Sequence, residues 1–181
     1  ELISLVEKHL HRGQNQYAPM PGILSLREAI AQKTEEMYSM VYDPETEITV
    51  TAGATQALYT AINALVREGE EVIIIEPAYD SYLPAIEMAG GKAVFFQLDP
   101  QSFKINWNEF QKLVNPRTRM IIINTPHNPT GSMLNAADIQ RLEKLTQNTD
   151  IIILSDEVYE HILFDGYEHQ SVARFPKLAQ R

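Results

Sequence analysis

Between residues 47 and 154, short apolar runs alternate with segments whose apolar residues recur at helical spacing, and this alternation restricts the possible architectures most. Strands are expected at Glu47–Thr51, Glu71–Ile75, Ala93–Leu98, Arg119–Ile123 and Ile151–Leu154. Helices are expected at Thr55–Val66, at Tyr82–Ala89 before the stop Gly90-Gly91, briefly after the cap Asn106 with Glu109, and from Asn135 to about Thr146. Strand, helix and strand in repeated succession call for a parallel sheet covered on both faces. The expected fold class is therefore α/β, a three-layer α/β/α architecture with a mostly parallel sheet.

Upstream, Leu2, Leu5, Val6, His9 and Leu10 predict an amphipathic helix over 2–11 that closes at Gly13, with His9 and His11 on its surface. Asn15–Gly22 reads as a structured loop. Ser25-Leu26-Arg27-Glu28 has the pattern of a capping box and predicts a helix running to about Val41, with Leu26, Ile30, Met37 and Val41 on its apolar face. Asp43-Pro44 ends it. Trp107 is expected to be a partly buried packing residue.

Composition narrows the partners. A formal charge of −9 disfavours nucleic acid, because a phosphate backbone demands a basic face, so any bound anion must be held locally. The absence of cysteine removes disulfides, thiolate metal sites and thiol nucleophiles, and is compatible with a reducing cytoplasm. No apolar run approaches the roughly 20 residues needed to span a bilayer, so no membrane partner is expected. A chain of 181 residues accommodates one full-sized domain, and its ends, Glu1 and Arg181, read as cuts within a longer protein.

Four strand ends carry candidate chemistry. Thr51-Ala52-Gly53-Ala54-Thr55 leads into a helix through one glycine, which would aim the amides of Ala54 and Thr55 and the Thr55 hydroxyl at an anion; the same turn also serves simple packing. It is neither a Walker loop nor G-x-G-x-x-G, which disfavours nucleotide hydrolysis and hydride transfer. In Glu76-Pro77-Ala78-Tyr79-Asp80-Ser81-Tyr82, Tyr79 could lie against a planar heterocycle or belong to the core, while Tyr82 is expected to pack into the helix it begins. Asn124–Gly131, N-T-P-H-N-P-T-G, holds Asn128 at a strand's carboxyl end, where open α/β sheets bind ligands; an ordinary Asn-Pro turn has the same signature. In Ser155-Asp156-Glu157-Val158-Tyr159, Asp156 leaves an apolar strand and needs a cation or several donors, and Tyr159 could reach the same ligand. A capping Asp and a packing Tyr are the alternative. Together these supply an anion cradle, an aromatic plate, an oriented amide and a carboxylate with a phenol, which are the needs of pyridoxal 5′-phosphate.

With these motifs, joined by N-Q-Y-A-P-M-P-G and running in one order along essentially the whole chain, the sequence resembles the fold type I, class I/II pyridoxal-phosphate aminotransferases. The likeness is closest to the branch containing the methionine and kynurenine aminotransferases. The resemblance implies that residues 1–181 are part of a PLP-binding large domain, without its C-terminal part or the small domain. It assigns Ala54 and Thr55 to the cofactor phosphate, Tyr79 to the ring face, Asn128 and Tyr159 to O3′, and Asp156 to the pyridinium nitrogen. Tyr17 matches a tyrosine that reaches the neighbouring subunit's phosphate, which implies a homodimer, and the Asn128-Pro129 bond is expected to be cis.

The resemblance also implies an amino-acid and a 2-oxo-acid substrate for a cytoplasmic parent enzyme. Its Schiff-base lysine, in a Ser-x-x-Lys segment some tens of residues after the Tyr159 motif, is expected beyond Arg181. Neither Lys144 nor Lys177 has that context, so no catalytic residue is expected within 1–181, and these residues alone are expected to be inactive. Two other functions remain open from sequence: a carbon-sulfur β-lyase using the same cofactor, and an aminotransferase-like ligand-sensing domain of a regulator. Exposed sheet edges are a further expectation.

Overall fold

The apolar runs at residues 72–75 and 120–123 lie side by side at the centre of one parallel sheet. In the computed structural model, which describes residues 1–181, this sheet belongs to a unit of residues 38–40 and 52–181, while residues 1–37 and 41–51 form another. In chain order the elements are α1 (Leu2–His11), α2 (Leu24–Tyr38), α3 (Ala54–Leu65), β1 (Glu71–Glu76), α4 (Tyr82–Met88), β2 (Lys92–Gln97), α5 (Trp107–Phe110), β3 (Thr118–Asn124), α6 (Ala136–Thr146), β4 (Ile152–Asp156) and α7 (Pro176–Ala179).

The strand order is β2-β1-β3-β4 and every pairing is parallel. Successive side chains of a strand point to opposite faces, so a strand covered on both sides must be apolar throughout. Ile73, Ile75, Ile121 and Ile123 pack with Trp107 and Phe110 of α5 and Ile139 and Leu142 of α6. On the other face, Val72, Ile74, Met120 and Ile122 pack with Leu58 and Ile62 of α3 and Tyr82 and Ile86 of α4. Each fully buried isoleucine contributes about 2–3 kcal/mol relative to an exposed one, so the two cores fix which way each strand faces. The register sets Asn124 opposite Asp156, bringing the last residues of β3 and β4 to one edge. Trp107 is more buried than expected and donates from Nε1 to Asp138 Oδ1 at 2.8 Å. Asn135 caps α6 through a capping box with Asp138.

After α7 the chain turns back onto β4. Arg181 C=O accepts Ile153 N–H at 3.3 Å, and its guanidinium donates to the carbonyl of Thr149, just ahead of the strand. The outer side of β4, expected to be a bare edge, therefore has one of its main-chain donors met by Arg181.

One expected strand does not form. Glu47–Thr51 joins no ladder; Val50 N–H makes a single main-chain bond to Pro21 C=O at 2.9 Å. An alternating apolar pattern cannot make a strand without a neighbour to pair with, and the candidate phosphate turn therefore follows a coil.

The N-terminal unit corrects two further expectations. α2 begins at Leu24, ahead of Ser25, so the capping-box pattern does not sit at the helix start. The helix ends at Tyr38, and Ser39 follows with φ of 57°, short of Val41. Leu26, Met37 and Val41 are exposed, and the helix instead buries Arg27 and, as its last residue, Tyr38. The Arg27 guanidinium donates to the main-chain carbonyls of Gly22, Pro44 and Glu45 at 3.2, 2.5 and 3.1 Å, gathering acceptors that apolar burial would leave unpaired. Gly22 has φ of 94°, and a Cβ there would meet Val50 Cβ at 2.7 Å, so only glycine fits. α1 spans the predicted residues and leaves all of them exposed. No helix is long and apolar enough to cross a membrane.

Candidate functional site

At the carboxyl end of β3, Asn124 fastens two segments together. Its Nδ2 donates to the Asp156 carbonyl at 2.9 Å, and its Oδ1 accepts the Asn128 N–H at 2.7 Å. Thr125 N–H adds a second bond to the Asp156 carbonyl at 3.1 Å. The turn from Thr125 closes through Gly131 N–H to His127 C=O, and His127 N–H to Ser132 C=O, both at 2.8 Å. The Asn128-Pro129 bond is cis, as the resemblance implied, and so are Thr125-Pro126 and Glu76-Pro77. His127 is buried with Nδ1 2.8 Å from Thr130 Oγ1; burial holds its pKa below the ordinary 6.5, opposed in part by a bond to the Pro77 carbonyl. That bond links the Asn128 turn to the loop bearing Tyr79.

Asp156 ends β4 with its carboxylate held by two donors, Tyr82 Oη at 2.6 Å and Val158 N–H at 3.3 Å. Burial, then the bond to Asp156, pushes the Tyr82 phenol far above its ordinary pKa, so it remains a donor. The Asn128 side-chain amide makes no hydrogen bond to the chain, which leaves a donor and an acceptor for a ligand.

α3 begins at Gly53, whose φ of 92° and ψ of 163° suit only glycine, and no side chain caps the helix. Its first amides and the positive end of its dipole are therefore available to an anion. Thr55 Oγ1 lies 3.4 Å from Tyr79 Oη, and the Tyr79 ring stands edge-on to Tyr82 at 5.8 Å.

These pieces meet. A cavity of about 150 Å³ is walled by Ala54, Thr55, Tyr79, Asn128, Asp156 and Tyr159, with Leu58, Asn124 and Val158 completing it. One cavity thus holds anion donors, an aromatic ring, an amide, a carboxylate and a phenol. Tyr17, the remaining candidate, belongs to the N-terminal unit and is fully exposed. Arg181 is not part of this cavity; it lines a separate surface hollow with Thr149 and Asp150, ahead of β4. A larger cavity of about 730 Å³ lies past His127, among Phe103, Met133 and Phe164, and contains none of the candidate residues.

Two supporting residues escaped the sequence reading. Tyr82 packs into its helix as expected, but it also carries the hydrogen bond to Asp156, and helical periodicity gives no sign of that. Asn124 did leave a signal: an amide ending an apolar strand has to be hydrogen-bonded, and here both its ends are.

The family described as aminotransferase class I and II matches residues 3–180. Methionine aminotransferase of Escherichia coli is 51% identical over 173 residues, covering 96% of this chain and 45% of that protein. A probable N-succinyldiaminopimelate aminotransferase of Mycobacterium tuberculosis is 40% identical, covering 100% and 46%, and human kynurenine–oxoglutarate transaminase 1 is 36% identical, covering 92% and 42%. Among solved structures, an Escherichia coli protein identified as having a methionine aminotransferase function superposes with a TM-score of 0.95 at 50% identity, over 98% of this chain and 47% of its own. The Mycobacterium tuberculosis enzyme gives 0.94 at 41% identity, over 98% and 47%. The chain spans about half the length of these relatives. With its parallel sheet, its helices on both faces and its motifs in order, the chain belongs to the class I and II aminotransferase family.

Proposed function

We propose that these residues are the first part of the cofactor-binding large domain of a pyridoxal-phosphate-dependent aminotransferase. The observation that carries this reading is the gathering of six candidate side chains and amides around one cavity. The donor set fits the cofactor group by group. The uncapped start of α3, with Ala54, Thr55 and space beside Gly53, suits a phosphate; the unpaired Asn128 amide suits a ring oxygen; and an Asp156 carboxylate with one donor on each oxygen and lone pairs to spare suits a ring nitrogen cation.

On this reading Ala54 and Thr55 hold the phosphate, Tyr79 covers one ring face, Asn128 and Tyr159 bind O3′, and Asp156 faces the pyridine nitrogen. The cofactor, when bound, supplies an electron sink for charge developing at the substrate Cα. Asp156 keeps a proton on the ring nitrogen, which maintains that capacity. Tyr82 donates to the Asp156 carboxylate and would keep it directed at the ring nitrogen, and Asn124 ties the Asn128 N–H to the Asp156 carbonyl. Tyr17 would serve the phosphate of a neighbouring subunit in a homodimer. No lysine that could bond covalently to the cofactor lines the cavity.

The full-length parent would move an amino group from an amino acid to a 2-oxo acid in the cytoplasm. Two relatives are named for methionine and kynurenine, which favours an apolar or aromatic donor, while another is named for N-succinyldiaminopimelate. The test is to titrate the cofactor-free full-length protein with pyridoxal phosphate and then assay methionine with a 2-oxo acid. Saturable binding, an absorption band shifted by Asn128→Ala, and oxo-acid-dependent turnover are expected. Release of pyruvate and ammonia without an oxo acid would favour the β-lyase, and binding without turnover would favour a sensing domain.

A further inference from the structure

Asp156 and Glu157 are consecutive carboxylates with entirely different surroundings. Asp156 lines the cavity, while Glu157 turns to a segment more than ten residues downstream. Glu157 Oε1 accepts Ser155 Oγ–H at 2.6 Å and Val172 N–H at 3.0 Å, and Oε2 accepts His169 Nε2–H at 2.8 Å. Burial alone would push this carboxyl up, but the hydrogen bonds from His169, Ser155 and Val172 outweigh it and hold its pKa below the ordinary 4.5.

His169 has nowhere else to bond. Its side chain is only 4% exposed, and its Nδ1 is buried without a polar partner in the chain. The ring stands edge-on to Tyr38 at 6.1 Å, and the Tyr38 hydroxyl donates to Glu160. Apolar and aromatic packing thus fix the ring plane, and its one hydrogen bond goes to Glu157. The same glutamate starts the turn that carries Tyr159: its main-chain carbonyl accepts Glu160 N–H at 2.9 Å, and Tyr159 C=O accepts Ile162 N–H at 2.8 Å.

We infer that His169 is a positioning residue for the candidate cofactor site: through Glu157 it fixes the turn that aims Asp156 and Tyr159 into the cavity. The inference rests on the cofactor reading given above. Without the imidazole, Glu157 Oε2 loses the bond from His169 and the carboxylate is held through Oε1 alone, by Ser155 Oγ–H and Val172 N–H. The turn between Asp156 and Tyr159 is then held less firmly from behind.

The test uses the full-length protein freed of cofactor, with His169→Phe and His169→Gln, at a temperature where circular dichroism shows both folded. Pyridoxal phosphate affinity and the absorption maximum of the bound cofactor are the readouts. His169→Phe is expected to weaken binding about tenfold or more and to shift the band, as loss of a hydrogen bond to a charged group should. His169→Gln, which keeps a donor, is expected to return within about threefold of the parent. A purely structural role would lower the melting temperature and leave affinity and absorption unmoved, and that result overturns the inference. If His169→Phe does not fold, Ser155→Ala removes another donor from the same carboxylate and is read by the same criteria. Asp156→Asn separates the two layers of argument. No effect there overturns the cofactor reading and the inference with it, whereas weakened binding beside an unaffected His169→Phe overturns the inference alone.

Discussion

The two ends of the sheet both carry buried or half-buried charge, and they treat it in opposite ways. At the amino end, Glu71 is met by the chain itself: Asn115 Nδ2 and Arg117 Nε each donate to it at 2.7 Å. Nearby, Arg119 Nε donates to Leu65 C=O at 3.0 Å. At the carboxyl end, each Asp156 carboxylate oxygen has a single donor, the Asn128 amide has no partner in the chain, and α3 starts uncapped. A polar group whose bonds are completed internally serves the fold. One held in place but left with bonding capacity is built for something that arrives from outside, and the contrast separates the two without reference to any relative.

The sharpest way to break this comparison is Asp156→Ala in the full-length protein. Turnover is expected to fall about a hundredfold or more, as when a preorganised charge is removed from a site, with the melting temperature moved by only a few degrees. A stable, fully active variant would erase the distinction. Next in size, Gly53→Ala forces a side chain into backbone geometry that only glycine tolerates, at a cost of about 1–3 kcal/mol, although its Cβ would meet no atom within 4 Å. The strain is expected at the first amides of α3, so affinity for pyridoxal phosphate should fall about tenfold in a binding titration.

Glu71→Ala should do the reverse of Asp156→Ala. It strips Asn115 and Arg117 of their acceptor and is expected to cost about 1–2 kcal/mol in denaturant unfolding, with turnover unchanged. The smallest effect is on pH. The bond from Asn115 leads in holding Glu71 below the ordinary 4.5, and Glu157 is also depressed, so the unfolded chain binds their protons more tightly than the fold does. Their contribution is complete at neutral pH and is lost as pH falls through the lowered values. His127, depressed by burial from 6.5, favours its neutral form, so stability should begin to decline once pH drops below about 6.5. Unfolding midpoints of parent and His127→Gln, compared at about pH 7 and about pH 5, should converge at the lower value.

Much of this was legible beforehand because the signals are local. The apolar runs gave β1, β3 and β4 to within two residues, since an unbroken apolar run marks a strand's interior; the limits slipped at the polar ends, such as Glu76, Thr118, Asn124, Ser155 and Asp156. Asp156 was legible because a carboxylate leaving such a run must be paired, and Asn128 because a doubly prolyl, glycine-closed turn follows the strand's carboxyl end. What could not be read depended on distant partners. Glu47–Thr51 had the composition of a strand but nothing beside it, and Arg27 was hidden because its carbonyl acceptors lie up to 18 residues away. Tyr82 and His169 act on residues 74 and 12 positions off, distances over which spacing carries no information.

Tyr82 belongs to two systems at once. Its ring is wedged into the apolar layer between α4 and the sheet, and its hydroxyl steers the Asp156 carboxylate. Selection therefore cannot tune that layer and that carboxylate independently. An enlarged Ile86, fully buried in the same layer, would therefore press on the ring that positions the Asp156 hydrogen bond as well as on the core.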